Sequence, residues 1–571
     1  MQLIPACAGA TSEGCRGDAP DCYASRMSRY SVYVLSIVMT LVSLALARWQ
    51  LEWWWGVAVF GALAAVGTLD MFQHKSTLRR NYPILAHIRY GLETIGPEIR
   101  QYFIQSDIVE VPFSREQRAL IYQRAKHVND VRPFGSLQDV YSVDYEWINH
   151  SMAPSGIASS DFRVLVGASS AQPYSASVFN ISAMSFGSLS AAAIRALNAG
   201  AKAGNFYHDT GEGSISPYHR EAGGDLVWEI GSGYFGCRND DGSFSAERFA
   251  KAASDPQVKM IEIKLSQGAK PGHGGVLPAP KVSAEISMAR GVPVGQDCVS
   301  PAAHSAFSTP IGLLQFVAQL RELSGGKPTG FKLAIGHPWE WFGIAKAMQE
   351  SAASQPELLP DFIVVDGAEG GTGAAPAEFI DHVGVPMQEA LRLVHNTLVG
   401  LDLRDKIKIG AAGKIVSAFD IARTLAMGAD WCNAGRGYMF ALGCIQSLSC
   451  HTDRCPTGIA TQDPSRWRKL DVPDKATRVR EFHDNTLHVL RDLLCAAGLD
   501  HPDQLGPEHI LRRVSPTEVR SVAALYPFLR RGELLAGIPD HAVFKEFWQP
   551  ARSDGFMPPP HVLSLRSGKC T

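Results

Sequence analysis

Short apolar runs alternate with helical stretches along most of this chain, and the alternation predicts its fold. Beyond residue 150, eight apolar runs each end in a loop rich in Gly, Ser or Asp, and several are separated by stretches with helical apolar spacing, such as 190–204, 341–353 and 419–427. Strands that alternate with helices to a count of eight predict an α/β protein, a (β/α)8 TIM barrel with a parallel core. The eight predicted strands are 178–185, 205–209, 226–231, 260–265, 330–335, 362–366, 407–410 and 430–433.

The rest of the pattern predicts appendages to this barrel. Two long insertions are predicted within it, at about 268–325 and 372–404. After it, a helix is predicted between an N-cap at Asp474 and a stop at Gly498, and 515–537 is predicted to add another helical piece. The predicted domains are a disordered leader at 1–27, two transmembrane helices at 28–72, a juxtamembrane helical segment at 73–150, the barrel with a cysteine-rich loop at 151–465, and a C-terminal helical extension and tail at 466–571.

Two uncharged segments near the start predict a membrane hairpin. Residues 31–47 and 53–69 contain no charged residue, and each is near the lower length limit for crossing a hydrocarbon core about 30 Å thick. Basic residues flank the pair on its outer sides, so the positive-inside bias places both ends in the cytoplasm. The predicted location is therefore the inner (cytoplasmic) membrane, with the large domain facing the cytoplasm. A signal peptide cleaved after residue 47 and a buried pair of soluble helices are the alternatives. The flanking basic residues are Arg26, Arg29, Lys75, Arg79 and Arg80.

Length, charge and cysteine content narrow the classes of partner. A chain of 571 residues can hold one large domain with appendages. Its net charge of −2 leaves no basic footprint, so nucleic acid is not an expected partner. Its 11 cysteines are scattered rather than spaced as a small disulfide framework, which indicates a reducing compartment.

Three cysteines in one short loop form the strongest chemical signal. Cys444, Cys450 and Cys455 follow one another at the spacing C-x5-C-x4-C, and a proline comes directly after the third. Thiolates this close in sequence can converge on one soft-metal centre, because cysteine is the ligand that selects iron–sulfur clusters and zinc. Three such ligands without a close fourth favour a three-iron cluster, [3Fe-4S].

Other interpretations of these cysteines stay open at this stage. Free cysteine packs as a small hydrophobic residue, so the three could be unrelated buried thiols. His451 could instead complete a zinc site with them. Cys432 and Cys495 are also open as ligands from outside the loop.

Glycine-rich loops at the ends of the last predicted strands indicate phosphate binding. The stretches GAAG (410–413) and NAGRG (433–437) follow predicted strands seven and eight, and GGTG (370–373) follows strand six. Barrel enzymes commonly hold phosphate after strands seven and eight, where glycine lets backbone N–H groups approach closely. Arg436 could add a charged fork there. Ordinary tight turns are the alternative.

Several motifs in fixed order resemble one known family. The stretch GCIQSLSCHTDRCPTGIATQ (443–462) resembles the cluster loop in the FMN- and [3Fe-4S]-binding synthase domain of glutamate synthases. The resemblance covers roughly residues 100–510, and it is greatest to the stand-alone FMN-binding proteins of the glutamate synthase family. Four further motifs carry it: ISAMSFGSLS (181–190), HDTGEG (208–213), IKLSQGAKPGHGGVLP (263–278) and DGAEGGTGA (366–374).

The resemblance implies FMN as cofactor and names the residues that would hold it. Two of them are lysines on predicted strands, and a cation near reduced flavin stabilises its negative charge. The alternative for each lysine is a side chain that extends to solvent. The implied FMN residues are Ser182, Ala183, Met184, Ser185, Lys264, Lys332, Gly370, Gly371, Thr372, Gly413, Gly435 and Arg436.

The resemblance also implies a reaction and four catalytic residues. Gln267 and Lys270 would hold a dicarboxylate such as 2-oxoglutarate, while Lys264 would lie at the flavin. Glu212 would be available for acid–base work, with an ordinary loop carboxylate as the alternative. The implied chemistry is hydride delivery from reduced FMN to 2-iminoglutarate, formed from 2-oxoglutarate and ammonia, which gives glutamate.

Departures from the family pattern fall in the loops that would handle substrate and ammonia. The chain has PGHGG at 271–275 where glutamate synthases generally have PGEGG, SPAAHSA at 300–306 where they have SPPPHHD, and AGK at 412–414 where DGG is common. Another keto or imino acid, or condensation of glutamate with an amine, therefore stays open as the reaction. A membrane electron-transfer subunit that makes no glutamate is a further alternative.

The expected partners follow from what the sequence contains. It shows no recognisable NAD(P)H domain, so the electron donor is open among a ferredoxin, a quinol and a reductase subunit. It also shows no glutaminase domain with an N-terminal cysteine nucleophile. The ammonia, or another amine, is therefore expected from solution or from a partner protein.

Overall fold

Eight parallel strands close into a barrel, as the alternation predicts. The computed structural model of this protein describes residues 29–93, 112–128 and 130–557. Each strand pairs with the next along the chain, and the eighth pairs with the first. All eight predicted strands are confirmed. They are β1 Phe179–Ile181, β2 His208–Asp209, β3 Leu226–Ile230, β4 Val258–Lys264, β5 Thr329–Leu333, β6 Phe362–Asp366, β7 Lys408–Ala412 and β8 Trp431–Ala434.

Helices follow the barrel strands and cover them. The helix after β1 begins where the Ser190 hydroxyl accepts the N–H of Ala193, and it buries nine of its residues. Because that face is apolar and small, the helix packs closely on its neighbours. The three predicted helices at 190–204, 341–353 and 419–427 are confirmed. The helices that follow β1 to β8 are Ala191–Ala203, Pro217–Arg220, Ala246–Ala253, Pro310–Leu323, Pro338–Ser354, Met387–Gly400, Ala418–Ala426 and Arg436–Ala441.

A hairpin closes the N-terminal end of the barrel. Strands Arg163–Val166 and Tyr174–Ser177 pair in antiparallel order before β1 begins. Their side chains Val166 and Tyr174 belong to a buried cluster with residues of the barrel strands, including Trp431 at the start of β8. The open end of the barrel is therefore the C-terminal one, where enzymes of this architecture carry their active sites.

The two insertions are shorter than the sequence predicts. Helices Pro310–Leu323 and Met387–Gly400 pack against barrel strands and belong to the barrel itself. Apolar periodicity marks them as helices but does not say which layer they join, so the predicted boundaries at 268–325 and 372–404 are too wide. The first insertion contains the strands Val276–Leu277 and Cys298–Val299, the short 3-10 helix Ala279–Lys281 and the helix Ala284–Arg290; the second contains the helix Ala377–His382.

After the barrel, the predicted helix that ends at Gly498 is confirmed and its predicted N-cap is corrected. Helix Val472–Ala497 ends at Gly498, which has a φ of 74°. Its N-cap is Asp471, whose side chain accepts the N–H of Asp474. The prediction that Asp474 is the cap is therefore wrong, because the cap lies three residues earlier. The short pieces Pro464–Trp467 and Ala542–Phe547 are also helical.

The predicted helical piece at 515–537 is wrong. Strands Ile510–Ser515 and Glu518–Ser521 form an antiparallel hairpin there, followed by the single-turn helices Val522–Leu525 and Glu533–Ala536. Strand Glu146–Ile148 pairs with the first of them. An ion pair of 2.6 Å joins Arg512 to Glu146 across that pairing. A strand partner about 360 positions away decides the structure here, and the local apolar periodicity does not indicate that partner.

The N-terminal unit contains a pair of apolar helices, and contacts divide the unit from the rest of the chain between residues 102 and 103. Helices Ser31–Leu46 and Trp54–Phe72 pack together, with a hydrogen bond of 3.0 Å between the Tyr33 and Thr68 hydroxyls. By length and composition, one run in the described part of the chain, residues 51–72, could cross a membrane; the first helix is shorter, at 16 residues. The transmembrane hairpin therefore stays a prediction.

The predicted domain limits are not decided by these elements. Helix Thr77–Asn81, a helical stretch at 85–93 and helix Arg115–Ala125 lie in the predicted juxtamembrane segment. The predicted leader at 1–27, residues 94–111 and the last fourteen residues lie outside the described part of the chain.

Candidate functional site

A cavity of about 210 Å³ lies at the C-terminal end of the barrel, and the predicted site residues line it. Among them are all twelve residues that the resemblance assigns to FMN and all four that it assigns to catalysis. Of the three predicted cluster ligands, Cys450 lines the cavity, while Cys444 and Cys455 lie in the adjoining loop. One cavity thus brings together loops that are up to 270 residues apart in sequence. Which roles these residues have stays a prediction.

The loops after β6 and β8 approach each other at a glycine and an arginine. A Cβ on Gly371 would lie 1.8 Å from Nη1 of Arg436, so a side chain there would displace the guanidinium. Arg436 begins the helix after β8, and the first N–H groups of a helix have no partner within it. Burial lowers the pKa of Arg436, because the cation has lost water, and the nearby Cys450 and Cys444 offset this only in part. This corner of the cavity therefore suits an anionic group.

An ion pair joins two of the predicted catalytic residues. Nζ of Lys264, at the end of β4, lies 3.2 Å from Oε2 of Glu212. Burial works to raise the pKa of Glu212, but Lys264 and Arg290 outweigh it, so the pKa lies below its ordinary value and the carboxylate is ionised. A Cβ on Gly275 would lie 1.9 Å from Oε1 of Glu212, so glycine is what allows the carboxylate this position.

Lys270 presents a second cation to the cavity. Its side chain is almost fully buried, and Nζ donates to the carbonyl of Ala374 at 3.0 Å. Burial lowers the pKa of Lys270, and Glu212 offsets this in part. An anion bound beside this ammonium would restore the charge compensation that burial removes. Gln267, three positions earlier, lines the same cavity and offers amide hydrogen bonds.

Lys332 has carboxylate partners inside the barrel that sequence reasoning missed. Its ammonium pairs with Glu229 and lies 3.6 Å from Glu262. Carboxylate oxygens of Asp209, Glu229 and Glu262 all lie within 4.8 Å of one another. The sequence signal was present for Glu229, which lies in an otherwise apolar strand. Lys332 does not extend to solvent, which was the alternative to its assignment at the flavin; its ammonium lies among the carboxylates, in the place a metal cation would take.

This acidic cluster retains a proton near neutral pH. Burial raises the pKa of Asp209 to about 7; the charge of Glu229 adds to the rise and Lys332 opposes it. Burial likewise raises the pKa of Glu262 well above its ordinary value, with Asp209 adding to it. Since three buried carboxylates cannot all stay charged around one ammonium, the protein holds a proton below the cavity floor.

Asp209→Asn should flatten the dependence of stability on pH. The native carboxyl binds its proton more tightly than the unfolded one, so its contribution to stability is full below about pH 3.8 and is lost as the pH rises toward about 7. One proton corresponds to a loss of about 1.4 kcal/mol per pH unit over that interval. Thermal unfolding of wild type and variant at pH 5, 6 and 7 measures it. Asp240→Asn, at an exposed position, is the control and should follow wild type.

The cysteine loop is tied directly to the loop after β1. The Gln462 amide donates to the carbonyls of Gly187 at 3.0 Å and Leu189 at 2.9 Å. The Ser190 hydroxyl donates to the carbonyl of Gly458 at 2.8 Å. The two segments that the resemblance assigns to cluster and flavin are therefore in contact.

The geometry of the cysteines disfavours a single zinc ion. Ligands at about 2.3 Å from one tetrahedral zinc lie roughly 3.8 Å apart. Among the residues that the structure describes, the acidic cluster is the one group of three potential ligands within 4.8 Å, so neither the three sulfurs nor a set with His451 meets that condition. The three thiols therefore do not form a single-ion site in this structure.

The two cysteines left open as outside ligands have other surroundings. Cys495, in helix Val472–Ala497, accepts the N–H of Ile157 at 3.4 Å. Cys432 is fully buried in β8, where burial raises its pKa and Thr424 is a hydrogen-bond partner. Neither contact involves the cysteine loop.

Two buried cations of the first insertion were missed by sequence reasoning. Lys281 donates to the carbonyls of Cys450 and Ala460. Arg290 donates to the carbonyl of Phe186 at 3.1 Å and lies 3.4 Å from the Ser185 hydroxyl. Both reach across more than 100 positions, and no local pattern marks them.

Comparison with known proteins identifies the family. The pattern described as "Conserved region in glutamate synthase" matches residues 143–500, which contain the whole barrel and the cysteine loop. The chain belongs to the glutamate synthase family. Membership makes this chain an enzyme of that family's kind, an oxidoreductase of glutamate synthase type.

Relatives match this glutamate synthase family member to different extents. The glutamate synthase large subunit-like protein YerD of Bacillus subtilis is 37% identical over 78% of this chain and 91% of its own length. The archaeal glutamate synthase [NADPH] of Methanocaldococcus jannaschii is 36% identical over 59% of this chain and 62% of its own length. An archaeal-type glutamate synthase [NADPH] of Thermotoga is 34% identical over 58% of this chain. The chain thus spans about six-tenths of the length of the latter two.

Proposed function

We propose that this enzyme reduces 2-iminoglutarate, formed from 2-oxoglutarate and ammonia, to glutamate, with FMN as the hydride donor. The observation that carries this is the pairing of two sites in one cavity. One set of residues consists of the glycine loops and Arg436; the other consists of the buried ammonium of Lys270 and the Lys264–Glu212 ion pair. An anionic cofactor and an anionic substrate would each meet a cation there.

The residues at the ends of β6, β7 and β8 fit the phosphate of FMN. Arg436 is partly buried and lacks full charge compensation, and Gly371 leaves room for it. Segment 182–185 lines the cavity beside them and would lie along the flavin. Bound FMN would supply a hydride. The chain's own part is to hold the cofactor by its charge and to exclude water from the site.

Arg436→Ala should lower FMN affinity about 10- to 150-fold, because a hydrogen bond to a charged group contributes about 1.5–3 kcal/mol. Equilibrium binding of FMN to apoprotein, followed by flavin fluorescence, measures it. Arg248→Ala, at an exposed ion pair with Asp240, is the matched control. Equal FMN affinity in Arg436→Ala and wild type would place the phosphate elsewhere.

Lys270 and Gln267 would bind the dicarboxylate, and Lys264 would manage a proton. Reduction of an imine adds a hydride to carbon and a proton to nitrogen. The Lys264 ammonium is held in the cavity by ionised Glu212, so it is a positioned proton donor whose charge the carboxylate balances. Lys270 lacks so close a carboxylate and is free to neutralise a substrate carboxylate.

A [3Fe-4S] cluster held by Cys444, Cys450 and Cys455 would pass electrons to the flavin. Support comes from the donor set of three thiols, from their spacing beyond the reach of one metal ion, and from the contact between the cysteine loop and the loop after β1. The donor to that cluster would be a ferredoxin, a quinol or a reductase subunit.

One observation favours a second candidate reaction. His273 stands where the family pattern has glutamate, and its ring meets Phe379 of the second insertion at 5.5 Å. An aromatic pair in place of a carboxylate, between the cavity-lining residues Lys270 and Gly275, would favour a different imino or keto acid, or an amine that condenses with glutamate.

Anaerobic reoxidation tests these functions against one another. The photoreduced protein is mixed with 2-oxoglutarate and ammonium, and flavin absorbance and glutamate are followed. Glutamate formed in proportion to flavin reoxidised supports the proposal. Reoxidation that occurs only with a different keto acid, together with ammonium or another amine, supports the second candidate. Cofactors that reduce but turn over with no substrate would indicate an electron-transfer subunit.

We also infer an inner-membrane location through the apolar helix pair. The 51–72 run and the outward-facing apolar residues of both helices support it, among them Leu41, Trp55 and Leu69. The full-length chain should stay in the membrane fraction through carbonate extraction and require detergent for release. A chain that begins at residue 103 should be recovered without detergent. Detergent-free recovery of the full-length chain would contradict this location.

A further inference from the structure

A buried lysine joins the cysteine loop to the flavin cavity. Lys281 ends the 3-10 helix Ala279–Lys281 of the first insertion, and only 4% of its surface is exposed. Its Nζ donates to the carbonyl of Cys450 at 2.8 Å and to the carbonyl of Ala460 at 3.0 Å. The same side chain lines the cavity, as Cys450 does. Lys281 therefore contacts the cysteine loop at its middle thiol residue and again near its C-terminal end.

The charges around Lys281 come from the cysteine loop itself. Asp453, Cys450 and Cys455 are the groups that interact with its ammonium electrostatically. Asp453 is occupied within the loop, where its carboxylate accepts the N–H of Gln462 at 2.7 Å. The two hydrogen-bond partners of Nζ are neutral carbonyls. A buried ammonium that is held by neutral acceptors keeps most of its field for the centre beside it.

We propose that Lys281 sets the reduction potential of the cluster, by holding a positive charge against the Cys450 arm of the loop. This inference rests on the cluster proposed above. An electron added to a cluster makes it more negative, and a nearby cation stabilises the reduced state relative to the oxidised one. Lys281 thereby keeps the cluster reducible in a pocket whose burial would otherwise disfavour added charge. It is a positioning residue that acts through the cluster.

Two substitutions separate charge from packing. Lys281→Gln removes the charge but keeps a donor for the two carbonyls, and Lys281→Arg keeps the charge. Lys327→Gln is the matched control: Lys327 is also 4% exposed, and its ammonium also donates to two backbone carbonyls, those of Ala253 and Asp255. Lys327 precedes β5 at the closed end of the barrel, away from the cysteine loop.

The measurement is a dithionite titration of the full-length protein in detergent, followed by the paramagnetic signal of the cluster, with iron, sulfide and FMN content determined first. Lys281→Gln should lower the equilibrium constant for one-electron reduction at least tenfold, which corresponds to a midpoint potential about 59 mV more negative. Lys281→Arg and Lys327→Gln should stay within threefold of wild type.

Each outcome decides between the proposals. If the wild-type protein contained no iron and sulfide, the proposed cluster would be refuted, and the role of Lys281 with it. With a cluster present, a Lys281→Gln potential within threefold of wild type would overturn the role of Lys281 alone. Equal shifts in Lys281→Gln and Lys281→Arg would do the same, since they would show a packing effect. If Lys281→Gln binds no cluster but Lys281→Arg retains it, the positive charge at this position is supported. If both variants lose the cluster, the proposed role of the charge is overturned.

Discussion

Lys270→Ala is expected to weaken 2-oxoglutarate binding by about 30-fold or more. Removing one partner of a buried, hydrogen-bonded charge pair costs about 2–5 kcal/mol, much of it because the remaining charge is left without compensation. Lys270 is 2% exposed and faces the cavity, so the substrate carboxylate would have no water to replace it. Titration of the oxidised, FMN-loaded protein with 2-oxoglutarate, followed by the flavin spectrum, measures the change.

Two further variants make this result specific. Lys264→Ala removes the cation that balances Glu212 and that would stabilise the negative charge of reduced flavin. It should therefore change the flavin potential more than the affinity for 2-oxoglutarate. Lys259→Ala, a half-exposed lysine of β4 near Asp225, should bind 2-oxoglutarate as wild type does. Unchanged 2-oxoglutarate affinity in Lys270→Ala would mean that the dicarboxylate binds elsewhere, or that the substrate is a different acid.

Cys450→Ser is expected to abolish the iron–sulfur absorbance and reduce bound iron and sulfide to near zero. A serine hydroxyl is a poor replacement for a thiolate ligand, and three ligands leave none to spare. The barrel should still fold, because Cys450 only borders the core with a half-buried side chain and serine keeps nearly the same volume. Iron, sulfide and FMN are measured on the same anaerobic preparation, together with the far-ultraviolet circular dichroism.

Cys495→Ser is the control for that result. Its thiol is also partly exposed, but it contacts the backbone of Ile157 rather than the cysteine loop. The variant should keep wild-type iron and sulfide. Full cluster content in Cys450→Ser, or stoichiometric zinc without sulfide in wild type, would refute the assignment of the three thiols.

The barrel was predictable because its signals are local and repeated. Each of the eight strands is a short apolar run with a polar loop at its end, and neighbouring runs are joined by helical spacing. In a parallel barrel all strand ends of one kind lie at one edge, so motifs after different strands must converge. That is why Gly371, Gly413 and Arg436 could be placed together before any contact was known.

Errors occurred where a partner distant in the chain decides the local structure. Residues 510–521 form a hairpin because strand Glu146–Ile148 and the Arg512–Glu146 ion pair stabilise them as strands. The insertions were drawn too wide because a helical pattern does not record whether its apolar face meets the barrel. The membrane function of the apolar pair is likewise outside what packing alone can decide.

By itself, the sequence determined the order of strands and helices, the convergence of the glycine loops and the spacing of the three thiols, since each depends on neighbouring residues or on the symmetry of a barrel. Only the tertiary structure decided how the buried charges pair. Lys332 meets Glu229 across 103 positions, and Lys281 meets Cys450 across 169. The free energy of a buried charge depends on which groups surround it in space, and chain neighbours do not report that.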